Sequence, residues 1–356
     1  MKLDRREFIA SGAAALAASS LASVAYAQPI QKIRFAFGFK TVNPIVINIL
    51  IGEGLGYHKQ EGFTLQPLGL STGANVQIAL AKGDVDFSVG IPSFQLPLFA
   101  RNELPDMVNF YEYTYPYKWD VAVKPGSPIQ KYEDLRGKKI GVSDLGVSDY
   151  PVTRAVLGKL GINPDTDVSW LAVGTGVSAG AALDRGNIDA LAHFDTGFGL
   201  IEGAGIKLRI LPRPPEVPLI GGLFLTAMSD YLKNNRKLAV GLGRSVAKSS
   251  EFILANPAAG AKVFLDMFPE TAPRGATTEK AIEAILYSVN RRKALYRPPY
   301  PNTKMGYIRP EELLLEAQFQ NLDIKDVSKL YTNDLIDEIN AFDREAIIAE
   351  AKAFKV

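Results

Sequence analysis

The sequence predicts an α/β fold with two lobes, each built on a mostly parallel β-sheet flanked by helices. Short β-rich runs alternate with helical patterns along most of the chain, which is typical of βα units in a parallel sheet. One such unit occurs twice at a fixed separation. The 356 residues, 47% of them hydrophobic and 22% charged, suffice for two globular domains of ordinary size.

The alternation can be followed element by element. Strands are predicted at 33–37, 64–70, 85–89, 140–142, 168–173 and 188–192. Helices are predicted at 43–52, 74–81 and 151–160, and the first of them is opened by Asn43-Pro44, since proline is tolerated in a first helical turn. From about Lys237 the chain is expected to be mainly helical, apart from an irregular Pro- and Tyr-rich stretch at 296–310.

The repeated unit is a strand, a loop, a helix, a turn and a second strand. It reads TG followed by LxxGDVD at 72–86, and TG followed by LxxGNID at 175–189. The two copies lie 103 residues apart at both their threonines and their glycines. That separation is too long for a solenoid, so we expect two similar lobes.

Composition excludes several kinds of partner and site. The net charge is only +2 and no basic stretch is present, so nucleic acid is not an expected partner. The absence of cysteine excludes disulfides, thiolate metal sites, a cysteine nucleophile and a lipidated N-terminal cysteine. The two histidines, His58 and His193, lack the spacing of a metal motif. We expect no metal and no cofactor.

The first 27 residues have the pattern of an export signal. Charged residues at 4–7 precede an Ala-rich apolar stretch and an A-x-A cleavage pattern at 25–27, so we expect a mature periplasmic chain that starts at Gln28. Arg5-Arg6 favours twin-arginine export over the general route, although Asp4 stands where that pattern usually has Ser or Thr. A membrane anchor is the disfavoured alternative, because the stretch is shorter than the ~20 apolar residues of a span.

Thr72 and Thr175 each follow a predicted strand and precede a predicted helix. In open α/β sheets, ligands lie beyond the carboxyl ends of strands, where loops lead into helix N-termini. A threonine there caps the helix, and the adjacent glycine lets a ligand approach free backbone N–H groups. An ordinary N-cap without a ligand is the alternative. Two such sites at equivalent places favour a cleft shared by both lobes.

With these motifs in place, the chain resembles the NMT1/THI5-like group of periplasmic substrate-binding proteins, which includes those for sulfonates, taurine, nitrate and thiamine pyrimidines. The resemblance lies within residues 33–230 and rests on GLGYHKQEGF at 54–63, LAKGDVD at 80–86, YEDLRGKKIGV at 132–142 and GNIDALAHFD at 186–195. Near residue 195 the group often has Trp-Asp-Pro, whereas this chain has Phe194-Asp195-Thr196.

The resemblance implies a periplasmic-binding-protein fold, type II-like, whose lobes close on a ligand by hinge motion. It implies two chain crossings, which we expect near Trp119–Lys124 and Gly222–Met228. Lobe one would then comprise 28–120 plus 229–356, and lobe two 121–228. It also implies a receptor, expected to be monomeric, that captures a small molecule and delivers it to the membrane subunits of an ABC importer. Ligand sensing is the alternative use.

The position of ligands beyond the carboxyl ends of strands, which we call the strand-end rule, and the resemblance together place the expected ligand between the lobes. Helix N-termini and Lys40 favour an acidic group, and aromatic residues favour a ring, so a small acidic or aromatic organic molecule is expected. No catalytic residue is expected. The expected ligand-binding residues are Lys40, Asn43, Ser71, Thr72, Gly73, Ser93, Phe94, Tyr117, Trp119, Ser148, Asp149, Thr175, His193 and Asp195.

Aromatic residues alternate strictly from 111 to 119, at Tyr111, Tyr113, Tyr115, Tyr117 and Trp119. Period two places them on one face of an extended segment. They pack as core or form a platform for a flat ligand, and we expect those nearest Trp119 at the cleft. Ser148 and His193 also have structural interpretations that involve no ligand. Ser148 would belong to a helix-cap network, and His193 would be a structural histidine with its hydrogen bonds satisfied.

Two enzyme hypotheses stand as alternatives. Gly69–Gly73 matches G-x-S-x-G between a strand and a helix, and Ser71, Asp149 and His193 follow the chain order of a hydrolase triad. The second copy of the repeat has Ala172–Gly176 at this place, without a serine, so the shared element is Thr-Gly. The related group also contains a thiamine-pyrimidine synthase with a cysteine-rich segment, which this chain lacks.

Overall fold

The computed structural model describes residues 30–116 and 118–356. Within that part of the chain, ten strands form two five-stranded sheets. The strands of the first sheet are β1 Gln31–Phe37, β2 Phe63–Gly69, β3 Phe87–Gly90, β4 Met107–Thr114 and β10 Leu223–Met228. The strands of the second are β5 Trp119–Val123, β6 Lys139–Val142, β7 Ser169–Ala172, β8 Ala190–Phe194 and β9 Arg209–Ile210.

The two sheets share one topology. Their orders are β2-β1-β3-β10-β4 and β7-β6-β8-β5-β9, with three parallel strands followed by one that runs antiparallel. In the chain, β5 comes directly after β4, and β10 comes directly after β9. The antiparallel strand of each sheet therefore follows an edge strand of the other sheet. This arrangement confirms the predicted two-lobed α/β fold, and we call the parts built on the first and second sheets lobe one and lobe two.

The chain passes from the first sheet to the second between β4 and β5, which we call the first crossing, and returns between β9 and β10, the second crossing. The crossings expected at Trp119–Lys124 and Gly222–Met228 fall instead largely on β5 and β10, because these runs pair with β8 and with β3 and β4. The lobe limits drawn from the sequence, 120/121 and 228/229, stay predictions.

Fourteen helices accompany the described strands, and none of them is both long and apolar enough to cross a membrane. Those up to β10 are α1 Ile47–Gly54, α2 Tyr57–Gln60, α3 Gly73–Lys82, α4 Pro92–Ala100, α5 Asp149–Lys159, α6 Val177–Asp184 and α7 Asp195–Gly203. Those after it are α8 Ser229–Asn234, α9 Arg236–Ala255, α10 Pro257–Met267, α11 Thr278–Arg292, α12 Pro310–Phe319, α13 Ile336–Ile339 and α14 Arg344–Ala353.

The sequence repeat has the same physical meaning in both lobes. Gly83 and Gly186 end their helices with φ of 75° and 76°, a left-handed conformation that favours glycine. The aspartate three residues later then fixes the next parallel strand. Asp86 Oδ2 accepts the backbone N–H of Arg34 on β1 at 2.8 Å, and Asp189 Oδ2 accepts that of Lys139 on β6 at 2.8 Å.

A C-terminal helix packs closely against lobe two. On α7, a Cβ at Gly199 would lie 2.4 Å from the Cα of Ser288, and one at Gly203 would lie 2.9 Å from the carbonyl oxygen of Ala284 on α11. Ser288 Oγ donates to the carbonyl of Thr196 at 2.9 Å. Small residues on both helices thus allow backbone contact between α7 and α11.

The two crossings also touch each other. Gly221 has a φ of 87°, and a Cβ there would lie 1.7 Å from the ring of Trp119. Its N–H donates to Glu316 Oε2 on α12 at 2.9 Å. Glycine is required at 221 by both the backbone conformation and the indole face.

Candidate functional site

A cavity lies between the two lobes, near the carboxyl ends of β1, β3 and β8. The volume of the cavity that the centre of a water molecule can occupy is ≈ 50 Å³. The total empty volume, which includes the open mouth, is ≈ 520 Å³. The lining residues come from both lobes and are mainly apolar. They are Phe37, Gly38, Phe39, Ile45, Val46, Gly73, Val89, Ile91, Phe94, Tyr113, Lys118, Trp119, Val147, Ser148, Phe194 and Leu223.

The lobe-one wall is formed where β2 leads into α3 and β3 leads into α4. Thr72 caps α3, since its Oγ1 accepts the N–H of Asn75 at 3.2 Å, as the sequence predicts. A Cβ on the next residue, Gly73, would lie 2.9 Å from the ring of Phe94 and 2.8 Å from Ile91. Glycine therefore lets an aromatic ring pack onto the start of α3 and form the wall.

Three contacts join the walls of the two lobes across the cavity. Ser93 Oγ lies 2.9 Å from Ser148 Oγ, and both side chains are buried. The rings of Phe39 and Phe194 lie 5.3 Å apart between centroids. A Cβ at Gly146 would lie 3.0 Å from Thr72 Cγ2. The lobes are thus closed on each other around the cavity.

Lys118, on the first crossing, and Trp119, the first residue of β5, contribute a basic and an aromatic side chain to the cavity. Lys118 is only 2% exposed, and its Nζ lies 4.3 Å from the centroid of the Trp119 ring. No hydrogen-bond acceptor among the described residues meets this Nζ. The cavity therefore contains a buried ammonium group with an aromatic neighbour and an open hydrogen-bonding capacity.

Two buried glutamates accompany Lys118. Burial raises the pKa of Glu112 well above its ordinary value, and the carboxylates of Glu312 and Glu316 add to this effect. Burial also raises the pKa of Glu316 to about 7 and lowers that of Lys118 to about 7. Both carboxyl oxygens of Glu112 lack a hydrogen-bond partner among the described residues. Burial therefore favours the protonated form of the Glu112 carboxyl group.

Asp195, expected at the cleft, is paired with Arg292 of α11. Arg292 Nε donates to Asp195 Oδ2 at 2.5 Å, and Nη2 donates to Oδ1. The remaining donor group, Nη1, lies 3.4 Å from the carbonyl oxygen of Ile45 and 3.5 Å from Thr114 Oγ1. The carboxylate is thereby neutralised by the protein itself, and Asp195 does not line the cavity.

Asp149 and His193 form an internal network in lobe two with Ser143. His193 Nδ1 lies 2.9 Å from Ser143 Oγ and 3.3 Å from Asp149 Oδ2, while Asp149 Oδ2 accepts the N–H of Ser143 at 2.9 Å. The N–H of Gly176 donates to His193 Nε2 at 3.3 Å. All three side chains are buried and none lines the cavity.

Four of the expected ligand-binding residues line the cavity: Gly73, Phe94, Trp119 and Ser148. Ser93 and Thr72 lie beside it, through the contacts with Ser148 and Gly146. Lys40, Ser71 and Thr175 are exposed and do not line it, and Asn43 caps the turn at 44–46 by accepting the N–H of Ile45 at 3.0 Å. Tyr117 lies outside the described residues.

The predicted cap by Thr175 is wrong. Helix α6 has its N-cap at Gly176, with no side-chain hydrogen bond to the cap. Glycines with positive φ flank the threonine, at 78° for Gly174 and 57° for Gly176, so the backbone enters the helix one residue later than in the first copy. The threonine side chain is left on the surface.

The aromatic stripe divides between cavity and core. Tyr113 and Trp119 line the cavity, while Tyr111 packs against Gly306 and Tyr115 accepts the N–H of Gly306 at 3.0 Å. Lys118 was not among the expected residues, because alternation draws attention to the odd positions. It is nevertheless the only charged residue from 113 to 119, and that was the available signal.

The hydrolase triad is not assembled among the described residues. Ser71 Oγ accepts a hydrogen bond from Asn75 Nδ2 at 2.8 Å, whereas the partners of His193 are Ser143, Asp149 and Gly176. The nitrogen that a general base would use, Nε2, is taken by a backbone N–H.

Comparison with known proteins gives a consistent result. The sequence profile described as "NMT1/THI5 like" matches residues 43–260. The chain is 23% identical over 240 residues to the 4-amino-5-hydroxymethyl-2-methylpyrimidine phosphate synthase of Aspergillus parasiticus, a match that covers 62% of this chain. The match spans 66% of the synthase, a little under two thirds of its length.

Solved structures share the fold. The alkanesulfonate-binding protein SsuA from Xanthomonas axonopodis pv. citri, bound to MOPS, has a TM-score of 0.62 at 17% identity, covering 87% of this chain and 98% of its own. The periplasmic nitrate-binding protein NrtA from Synechocystis PCC 6803 has a TM-score of 0.61 at 12% identity, covering 92% of this chain and 99% of its own. At these identities the likeness concerns the fold.

Proposed function

The chain belongs to the NMT1/THI5-like family, and from this premise we propose that it is an extracytoplasmic receptor for a small acidic or aromatic organic molecule. The receptor binds this molecule between its lobes and delivers it to the membrane subunits of an ABC importer. The observation that carries the proposal is the interlobe cavity, which both lobes and the first crossing line.

The cavity walls support an organic ligand rather than a bare inorganic ion. Most of the lining is apolar, with the rings of Phe39, Phe94, Trp119 and Phe194 around it. Rings of this kind contribute binding energy through flat apolar contact, which nitrate or phosphate would scarcely use. A single ammonium and a serine hydroxyl then orient the polar end of the molecule.

The contacts between the lobes support a receptor that opens and closes. Across the cavity mouth they are a serine–serine hydrogen bond, one aromatic pair and one van der Waals contact. Each contributes about 1 kcal/mol or less, so a ligand that bridges both walls can favour closure of this part of the cleft, while Arg292 of α11 keeps lobe two joined to lobe one. Hinge closure of this kind gives the ligand-bound receptor a conformation that a membrane partner can recognise.

A binding function is favoured over hydrolysis because the candidate base is engaged. His193 has both ring nitrogens in contacts within lobe two and is fully buried. The synthase relative gives no residue-level support for enzyme activity here, since the group's cysteine-rich segment is missing from this cysteine-free chain.

The test is a melting-temperature screen of the chain starting at Gln28. Its panel contains aromatic carboxylates, alkyl and aryl sulfonates, amino-sulfonates, pyrimidines and inorganic anions. A ligand present at 100 times its Kd stabilises the native state by about 2.7 kcal/mol, which shifts the melt by several degrees. Organic hits that compact the protein in solution scattering support the proposal. Stabilisation by inorganic anions alone, or turnover of a panel compound, would overturn it.

A further inference from the structure

Lys118 is a buried lysine for which the described residues supply no dedicated counter-ion. It is 2% exposed, it lines the interlobe cavity, and its Nζ has no hydrogen-bond partner among the described residues. Transfer of an unpaired ammonium group from water into a protein interior is costly. An acidic group on a bound ligand would supply the missing partner and offset this cost.

The neighbouring carboxyl groups do not fill that role. Asp195 is held at both oxygens by Arg292, and Glu316 accepts the N–H of Gly221 at 2.9 Å. Burial raises the pKa of Glu112 well above its ordinary value, which disfavours its charged form. These groups attract the ammonium from a distance, but none of them makes a hydrogen bond to it.

Resting on the proposed function, we propose that Lys118 binds the acidic group of the ligand and selects an organic monoanion, a carboxylate or a sulfonate. The acid lies at the first crossing, against Lys118 and beside the Trp119 ring. The apolar part of the ligand extends toward Phe39 and Phe94. One ammonium matches one negative charge, and the apolar lining disfavours a second.

The experiment uses charge-matched probes rather than an unknown ligand. Acetate, benzoate, methanesulfonate and benzenesulfonate are compared by calorimetry with benzamide, benzenesulfonamide and benzylamine. Wild-type protein is compared with Lys118→Met, which keeps the length of the side chain and removes its charge. Lys207→Met is the control, because Lys207 is exposed on lobe two.

We expect at least one organic anion to bind the wild type, with its affinity reduced tenfold to a hundredfold by Lys118→Met and unchanged by Lys207→Met. Binding of a neutral analogue, where it occurs, should survive in Lys118→Met, which shows that the pocket is intact. Should the methionine variant not fold, the preference of the wild type for each anion over its amide decides the question.

Two outcomes overturn the assignment of Lys118. One is equal binding of the organic anions by wild type and Lys118→Met. The other is a wild type that binds the amides or benzylamine but not the anions, which leaves the receptor function standing. Binding of no organic probe at all contradicts the receptor function as well.

Discussion

Arg292 and Asp195 form a buried two-point ion pair across 97 residues of sequence, between α11 and the first residue of α7. The guanidinium is fully buried and reaches lobe one as well, through Ile45 and Thr114. A pair of this kind is costly to break, because the remaining charge stays in the interior. The C-terminal segment and lobe two are therefore joined by a contact that both partners need.

Arg292→Met should destabilise the protein by about 3–5 kcal/mol, since it leaves the Asp195 carboxylate buried without its partner. The matched control is Arg291→Met, whose pair with Glu202 is about a quarter exposed and should cost about 1 kcal/mol or less. Urea unfolding measures both. Equal costs for the two variants would contradict this account of the buried pair.

Gly199→Val should be among the most damaging single changes on α7. The Cβ of its side chain would lie 2.4 Å from the Cα of Ser288 and force the two helices apart. We expect a loss of roughly 2 kcal/mol or more in unfolding free energy. Gly158→Ala on α5 is the control, because nothing lies within 4 Å of its added Cβ, and it should stabilise by about 0.5–1 kcal/mol.

Thr72→Val and Thr175→Val separate the two copies of the repeat. Loss of the Thr72 cap should cost about 1 kcal/mol, whereas Thr175→Val should change stability by less than about 0.5 kcal/mol because Thr175 caps no helix. Thermal unfolding of the two variants side by side gives the comparison. A ligand titration on the same proteins tests whether either threonine also contributes to binding.

Binding of benzenesulfonate should weaken as pH rises through about 7. Burial lowers the pKa of Lys118 to about 7, so the ammonium that holds the anion is lost above that pH. Burial raises the pKa of Glu316 to about 7, so a negative charge appears over the same range. Both changes act against an anion. The charged or titratable groups that face Lys118 from other elements are Glu112, Asp195, Arg292, Glu312 and Glu316.

Titrations between pH 5.5 and 9 measure this effect, with benzenesulfonate chosen because it stays ionised throughout. The dissociation constant of the wild type should rise by up to about tenfold per pH unit above 7, with proton uptake on binding near pH 7. Lys118→Met should lose the part of this dependence that comes from the ammonium and keep the part that comes from Glu316. A wild-type affinity that does not change with pH would exclude a titrating ammonium at the site.

Replacement of Arg5 and Arg6 by lysine should block twin-arginine export and leave the precursor in the cytoplasm. Cell fractionation measures this, and N-terminal sequencing of exported wild type should begin at Gln28. Normal export of the double-lysine variant would refute the twin-arginine route while leaving secretion by the general route intact.

Local pattern was sufficient for most of the fold. Predicted strands at 33–37 and 64–70 correspond to β1 and β2 within two residues. The repeated Gly and Asp predicted duplication, and each has one physical role, a left-handed helix end and a backbone acceptor. The role of the glycine is local, whereas each aspartate contacts a strand about 50 residues earlier, so only its recurrence in the repeat was visible in the sequence.

The site was predicted only in part, because its polar chemistry comes from distant segments. Loop positions such as Gly73, Phe94 and Ser148 follow from the strand-end rule. The partner of Asp195 lies on α11, and the groups around Lys118 come from β4 and α12. No local sequence pattern predicts these contacts, because they form only when the C-terminal helices pack against the two crossings.

The contact between Trp119 and Gly221 limits how the protein can change shape. The Trp119 ring occupies the space that a Cβ at Gly221 would need, so we expect a bend in one segment to be matched in its neighbour. We therefore expect the two connections to bend together as one hinge rather than as two independent ones. For the proposed receptor, lobes that turn about one shared hinge alternate between two defined shapes, so that a membrane partner which recognises shape alone can distinguish the loaded protein from the empty one.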